Sequence, residues 1–296
     1  MQATRIRSFA AIGTSAVLAT AGVAAAATSA EAARGPQTAV AAAWAPADSA
    51  DIHPGVQMYT DGAQCTGNFV FEDGAGSVYV GYAAHCAGTG AATDTNGCDA
   101  GSLPLGTKVD FVEGGAFPVG GTTVGGGTLV YSSWLSMKQA GTTDPNACDY
   151  NDFALVKVDA ADVGKVNPSL PFWGGPTGIN TAGSPAGERV YSYGNSSLRG
   201  GVEALSPKTG ASLGTSGGGW THPVYTATPG IPGDSGSAFL DGSGNALGTL
   251  STVAIAPLAG SNGVGDLNKE LNFAKANSGI AGLSLVAGTE PFSPVL

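Results

Sequence analysis

Gly233-Asp234-Ser235-Gly236-Ser237 sets one serine between two glycines, just before the apolar run Ala238-Phe239-Leu240. A tight turn of this composition presents a single hydroxyl with bare backbone around it. The N–H groups of Gly233 and Ser235 could converge on one point there and stabilise an oxyanion. A serine hydroxyl alone is a weak nucleophile, so it needs a base, and the base needs a group to orient it. Both residue types occur upstream. Tyr82-Ala83-Ala84-His85-Cys86 ends an apolar run in a histidine, and Asn151-Asp152-Phe153-Ala154-Leu155-Val156 sets an aspartate directly before another. A buried aspartate needs a hydrogen-bond partner, and a histidine N–H is a suitable one. The bland alternatives are a β-turn in a chain with 48 glycines, an exposed histidine and a turn aspartate. Asp149 is the rival orienting group, but Asp152 directly abuts the apolar strand. His53 and His222 each precede a proline in loop-like sequence and are given no catalytic role.

Short strands must carry these residues. Strand-like runs fall at residues 64–71, 77–84, 108–112, 123–131 and 153–158, then at 188–193, 201–205, 224–228, 237–240 and 246–255. Glu72-Asp73-Gly74 between the first two is a hairpin signal. Residues 87–107 read as a polar surface loop holding Cys98. The glycines of residues 114–127 lack the Gly-Lys-Ser/Thr of a phosphate loop and read as turns and close strand packing. Residues 164–186, rich in Pro and Gly, are the best candidate for a linker between two halves. One helix is expected over residues 266–277, with Leu267, Leu271 and Ala274 at helical spacing, Asp266 early and Lys275 late. No internal repeat is evident.

The chain of 296 residues is 43% apolar and only 11% charged. Its net charge of −10 argues against nucleic acid or an anionic membrane as partner. Residues 1–32 read as an export signal: Arg5 and Arg7 open it, residues 8–30 carry no charge, and Ala-x-Ala sites end near Ala27 or at Ala32. A membrane anchor is the competing reading, disfavoured because Ala, Thr, Ser and Gly dilute the run. Residues 33–54 look like a short leader or linker outside the core, and no folded prodomain is expected. Export makes Cys65, Cys86, Cys98 and Cys148 candidates for two disulfides, with three pairings open. A metal site at His85 and Cys86 is the rival; no Cys-x-x-Cys spacing supports it, nor does any regular Asp spacing support a calcium loop.

Ala-Ala-His-Cys, Asn-Asp-Phe-Ala-Leu and Gly-Asp-Ser-Gly-Ser, in that order, resemble the chymotrypsin/trypsin-like serine peptidases, especially their secreted bacterial branch. The order His, Asp, Ser adds weight, because unrelated folds with the same chemistry use other orders. The resemblance implies an all-β fold: two six-stranded antiparallel β-barrels packed around a cleft, with a C-terminal helix. The barrels would span residues 55–165 and 180–285, followed by a tail over residues 286–296. It assigns His85 as general base, Asp152 as its orienting partner and Ser235 as nucleophile, with the Gly233 and Ser235 N–H groups as oxyanion hole. It implies a Cys65–Cys86 disulfide behind the histidine, which leaves Cys98–Cys148 as the other. Pro229, Ser251 and Val253 would line the substrate pocket; with no acid or histidine there, a small or medium apolar side chain is expected. Animal members pair the aspartate before the serine with a freed amino terminus, but no matching segment opens the barrel region here, so Asp234 needs another partner, Arg189 or Arg199. The implied protein is a secreted, monomeric serine endopeptidase acting on peptides or proteins, with no cofactor, metal or stable membrane association. The alternative is a catalytically inert secreted binding module that keeps the fold.

Overall fold

A computed structural model describes residues 43–91, 94–253 and 259–294. The expected export signal and residues 33–42 of the leader lie outside these. The first half of the chain forms β1 (Gln57–Thr60), β2 (Ala63–Thr66), β3 (Val70–Glu72), β4 (Val78–Tyr82), β5 (Lys108–Glu113) and β6 (Thr122–Ser132), then α1 (Ser133–Ala140), α2 (Pro145–Tyr150) and β7 (Ala154–Val158). The second forms β8 (Arg189–Tyr193), β9 (Pro207–Ser212), β10 (Thr221–Thr226), β11 (Ala238–Leu240), β12 (Ala246–Val253), β13 (Asn262–Asp266), α3 (Leu267–Asn277) and β14 (Ser284–Leu285). The β3–β4 hairpin forms where Glu72-Asp73-Gly74 signals it, with Asp73 Oδ1 accepting from the N–H groups of Ala75 and Ser77.

The protein is mostly β. Strands β8 to β13 close into a six-stranded barrel in the order β10-β13-β12-β11-β8-β9, filled by Val190, Val224, Phe239, Leu247, Leu250 and Val264. The first half differs from the closed six-stranded barrel expected for it. Its seven strands join β14 from the end of the chain in an eight-stranded sheet, in the order β14-β3-β4-β7-β6-β5-β1-β2. Two bonding choices account for this. Thr66, ending β2, donates its N–H to Ser235 O at 2.8 Å, and the free edge of β3 is taken by β14. The expected helix forms as α3, capped by Asp266, whose carboxylate accepts from the Lys269 N–H.

Two further expectations need correction. Residues 43–54 are not outside the core: Ile52 is fully buried and bridges to Val166 in parallel, and Trp44 packs on the same cluster. Residues 201–205 contain a 3-10 turn (Glu203–Leu205) rather than a strand, because Gly200 and Gly201 take φ of 63° and 77°. Residues 164–186 are anchored, with Trp173 buried and its Nε1 donating to Ser192 O at 2.8 Å. The tail closes over this segment, Gly175 N–H donating to Glu290 O and Ser293 N–H to Trp173 O. Among the described residues no helix is long and apolar enough to cross a membrane.

Candidate active site

Strand pairing brings His85 and Asp152 together. Antiparallel β4 and β7 align Tyr82 with Ala154. A 3-10 turn (Ala84–Ala87) continues β4 and carries His85, while Asp152 lies two residues before β7, so both leave the sheet at one edge. His85 Nδ1 lies 2.6 Å from Asp152 Oδ2, and the His85 backbone N–H donates to Asp152 Oδ1 at 2.8 Å. Ser251 Oγ donates to the same Oδ2 at 2.6 Å. Asp152 is only 3% exposed, and these three donors offset the cost of burying its charge. Burial alone would raise the Asp152 pKa, but the His85 charge and these hydrogen bonds outweigh it and hold the carboxyl below its ordinary value. Burial likewise pulls His85 down, and the Asp152 charge and hydrogen bond override it, leaving the imidazole above its ordinary value. Asp149 lies away from this pair, on the exposed side, accepting from Asn96 Nδ2.

Ser235 sits on the turn entering β11, half-buried. Gly236 N–H donates to Leu250 O at 2.7 Å and Leu250 N–H to Ser237 O at 2.9 Å, which holds the turn against β12. Gly236 takes φ +90°, and a Cβ there would stand 2.5 Å from Thr66 O. His85, Asp152, Ser235, Ser251 and Gly233 all line one cleft of about 610 Å³. Among the described residues Ser235 Oγ makes no hydrogen bond; it and the imidazole share the cleft wall without a direct bond.

The Gly233 and Ser235 N–H groups make no hydrogen bond among the described residues, while the carbonyls around them are held. Gly233 O accepts from Gln64 Nε2 at 3.0 Å and Thr66 Oγ1 at 2.7 Å. Pro232 O accepts from Ser196 Oγ at 2.6 Å, and in a trans peptide this turns the Gly233 N–H away from Ser196. Gly233 needs its glycine: φ is +95°, and a Cβ would lie 2.3 Å from Gln64 Oε1.

Asp234 is fully buried under this turn. Its Oδ2 lies 2.6 Å from Arg199 Nη2 and 3.1 Å from Lys208 Nζ, and Oδ1 accepts from the Ser196 N–H at 3.0 Å. Arg199 thus supplies the expected partner; Arg189 is exposed. Sequence reasoning missed Lys208, a fully buried lysine. Burial lowers the Lys208 pKa, Asp234 opposes that, and Arg199 adds to it.

The disulfides are Cys65–Cys86 and Cys98–Cys148. The first ties β2 to the His85 turn, so its sulfurs are spent in that bond although they lie near the imidazole. The second ties the loop after the histidine to α2, which leads into Asp152. Of the expected pocket residues, Ser251 and Val253 line the cleft, with Ile231 and Leu250 beside them. Pro229 is not among the lining residues; its carbonyl accepts from Arg199 Nη2. Gln64, Thr66, Ser196 and Lys208 carried no readable signal, since each acts through a contact far away in sequence. α2 did carry one: Asp144-Pro145 is a helix start, and Asp144 caps it. His222 is buried between Thr215 Oγ1 and Asp266, away from the cleft.

No family model matches the chain, and no curated protein matches it either. Solved structures do. Thermobifida fusca protease A is 18% identical over 80% of this chain and 99% of its own, with a TM-score of 0.48. A Nocardiopsis protease is 18% identical over 79% and 98%, with a TM-score of 0.45. Cellulomonas bogoriensis chymotrypsin is 19% identical over 79% and 98%, with a TM-score of 0.44. These structural neighbours are bacterial proteases of the chymotrypsin/trypsin-like serine class, the class that the motifs around His85, Asp152 and Ser235 resemble.

Proposed function

We propose that this protein is a secreted serine endopeptidase. One observation carries the reading: a histidine bonded to a buried, triply held aspartate shares a cleft with a serine whose own N–H and that of Gly233 are unpaired among the described residues. Ser235 Oγ attacks the carbonyl carbon of a bound peptide while His85 Nε2 takes its proton. Asp152 orients the imidazole through Nδ1 and stabilises the cation that forms. The carbonyl oxygen, now negative, is received by the Gly233 and Ser235 N–H groups. His85 then gives its proton to the departing amine, leaving an acyl ester on Ser235. Water, deprotonated by His85, attacks this ester and releases the carboxylic acid and the serine.

Ile231, Leu250 and Val253 on the cleft wall support a preference for a small or medium apolar side chain before the scissile bond. Two disulfides and the charge-free stretch at residues 8–30 support export. On this reading the catalytic cleft lies between a unit over residues 55–165 and one over residues 180–285, and the protein acts as a monomer.

The test is labelling of the secreted protein with a fluorophosphonate, followed by peptide mapping. Labelling at Ser235 that is absent in Ser235→Ala and slows as His85 gains a proton is the expected result. A folded, disulfide-intact protein that does not label would refute it and point to an inert binding module.

A further inference from the structure

Glu270 stands in the first turn of α3, where a glutamate is ordinarily exposed, yet it is fully buried. Its Oε2 accepts from Thr249 Oγ1 at 2.8 Å. Thr249 lies two residues before Ser251 on β12, whose pairing with β13 shifts register between Leu250 and Thr252, and Ser251 is the residue that donates to Asp152 Oδ2. The other oxygen, Oε1, is buried without a hydrogen-bond partner among the described residues. Oε1 packs on the backbone of Gly265, where a Cβ would come 2.2 Å from it and 3.2 Å from Tyr150 O. One side chain therefore bonds β12 directly and fills the space over Gly265 that the Tyr150 carbonyl also borders.

The charges around Glu270 are acidic. Asp152 faces it from the start of β7, Asp266 from the end of β13 and the Tyr131 phenol from β6. Strand β12 has no titratable residue. On α1, Lys138 turns to the Asp99 and Ala100 carbonyls. On α3 itself, Lys269 Nζ lies over the Trp220 ring. His222 is committed to Asp266, and His85 to Asp152. No cation pairs with Glu270 among the described residues. An ionised carboxylate there would be a third buried negative charge without a partner. Burial first, then the Asp152 and Asp266 charges, outweigh the Thr249 hydrogen bond and hold the acid well above its ordinary pKa.

We propose that Glu270 is a positioning residue for the His85–Asp152 pair: it ties α3 to β12 at Thr249, so that Ser251, two residues further along, stays on Asp152 Oδ2. This rests on the peptidase reading of the site. Glu270 touches no substrate; it acts through Thr249 and β12.

The test compares wild type with Glu270→Leu, Glu270→Gln and Thr249→Val in peptide hydrolysis. The His85 ring is also titrated by NMR in a Ser235→Ala background, where turnover is irrelevant. Glu270→Leu and Thr249→Val are expected to lower kcat about 10- to 100-fold with KM unchanged, the signature of lost alignment. Glu270→Gln, neutral and of the same shape, is expected to rescue kcat relative to Glu270→Leu and to leave the His85 midpoint in place. A lower His85 midpoint in Glu270→Gln would mean that a charge had been removed, and would overturn the neutral acid. Unchanged kcat in both Glu270→Leu and Thr249→Val would overturn the positioning role. If wild type hydrolyses no peptide, the peptidase reading fails by itself, while the NMR comparison still decides the state of Glu270.

Discussion

Removing the two cations beside Asp234, singly and together, should expose a shared charge. Asp234 is fully buried with Arg199 at 2.6 Å and Lys208 at 3.1 Å from the same oxygen. Arg199→Met removes the charge-assisted hydrogen bond to Asp234, worth about 1.5–3 kcal/mol, together with the more exposed one to Pro229 O. It also removes the repulsion that Arg199 exerts on Lys208, so the loss should fall at the low end of that range. Lys208→Met, similar in volume, should cost a comparable amount, because Arg199 then serves the carboxylate alone. The double variant leaves a buried carboxylate with only backbone donors, at a cost of about 3–5 kcal/mol. Its unfolding free energy in urea should therefore drop by at least the sum of the single losses. Activity should follow a different course. Asp234 Oδ1 holds the Ser196 N–H, and Ser196 Oγ holds Pro232 O, which turns the Gly233 N–H. Loosening that chain should cost the double variant up to about 10²–10³ in kcat, the value of one oxyanion donor. If Arg199→Met alone costs the full 3–5 kcal/mol and Lys208→Met nothing, the two cations do not share the aspartate and the reasoning is refuted.

Three other outcomes are expected. On the peptidase reading His85 acts as base only when neutral, and its pKa stands above the ordinary 6.5, so the acid limb of kcat/KM should have its midpoint above that value. Asp152→Asn, which leaves only the lowering effect of burial, should move this limb down and cut kcat about 10²–10⁴-fold. Gly233→Ala demands a φ of +95° and a Cβ 2.3 Å from Gln64 Oε1. It should abolish fluorophosphonate labelling while the disulfides stay formed; labelling at the wild-type rate would remove Gly233 from the oxyanion hole. Replacing Cys98 and Cys148 by serine opens a link across 50 residues and should cost about 2–4 kcal/mol in denaturant unfolding. Activity in that variant should fall with the order of α2, read as faster amide exchange at residues 145–150.

What could be read from the sequence was what local chemistry determines. Asp266 before Leu267 and Leu271 announces α3, because a cap and an apolar stripe are local features. The apolar runs before His85 and after Asp152 announce β4 and β7. The Gly200-Gly201 pair went unread as a break, and residues 201–205 turn where a strand is expected. Short strands with little alternation, such as β1 and β9, gave no pattern to distinguish them from loops. Closure of a sheet is a property of edges, and edges are set by partners far away in sequence: Ser235 O taking the Thr66 N–H, and β14 taking β3.

The site divides along the same line. The groups proposed to react announce themselves because chemistry restricts their type: a hydroxyl, an imidazole, a carboxylate and bare backbone N–H groups. The groups that hold them do not, since any donor of suitable reach serves. Ser251 was expected on the pocket wall and does line the cleft, yet its hydroxyl is spent on Asp152. Asp234 shows what the sequence does supply for such residues. A carboxylate in a turn that must pack beneath a cleft needs a cation, so one of the few basic residues was required nearby, and Arg199 is there. The same reasoning stops short of Lys208, because one negative charge calls for only one partner. A second buried cation is a choice that the fold makes rather than a demand of electrostatics, and its purpose has to be sought in what Asp234 holds in place: the Ser196 N–H, and through it the Gly233 N–H that the peptidase reading assigns to the oxyanion hole.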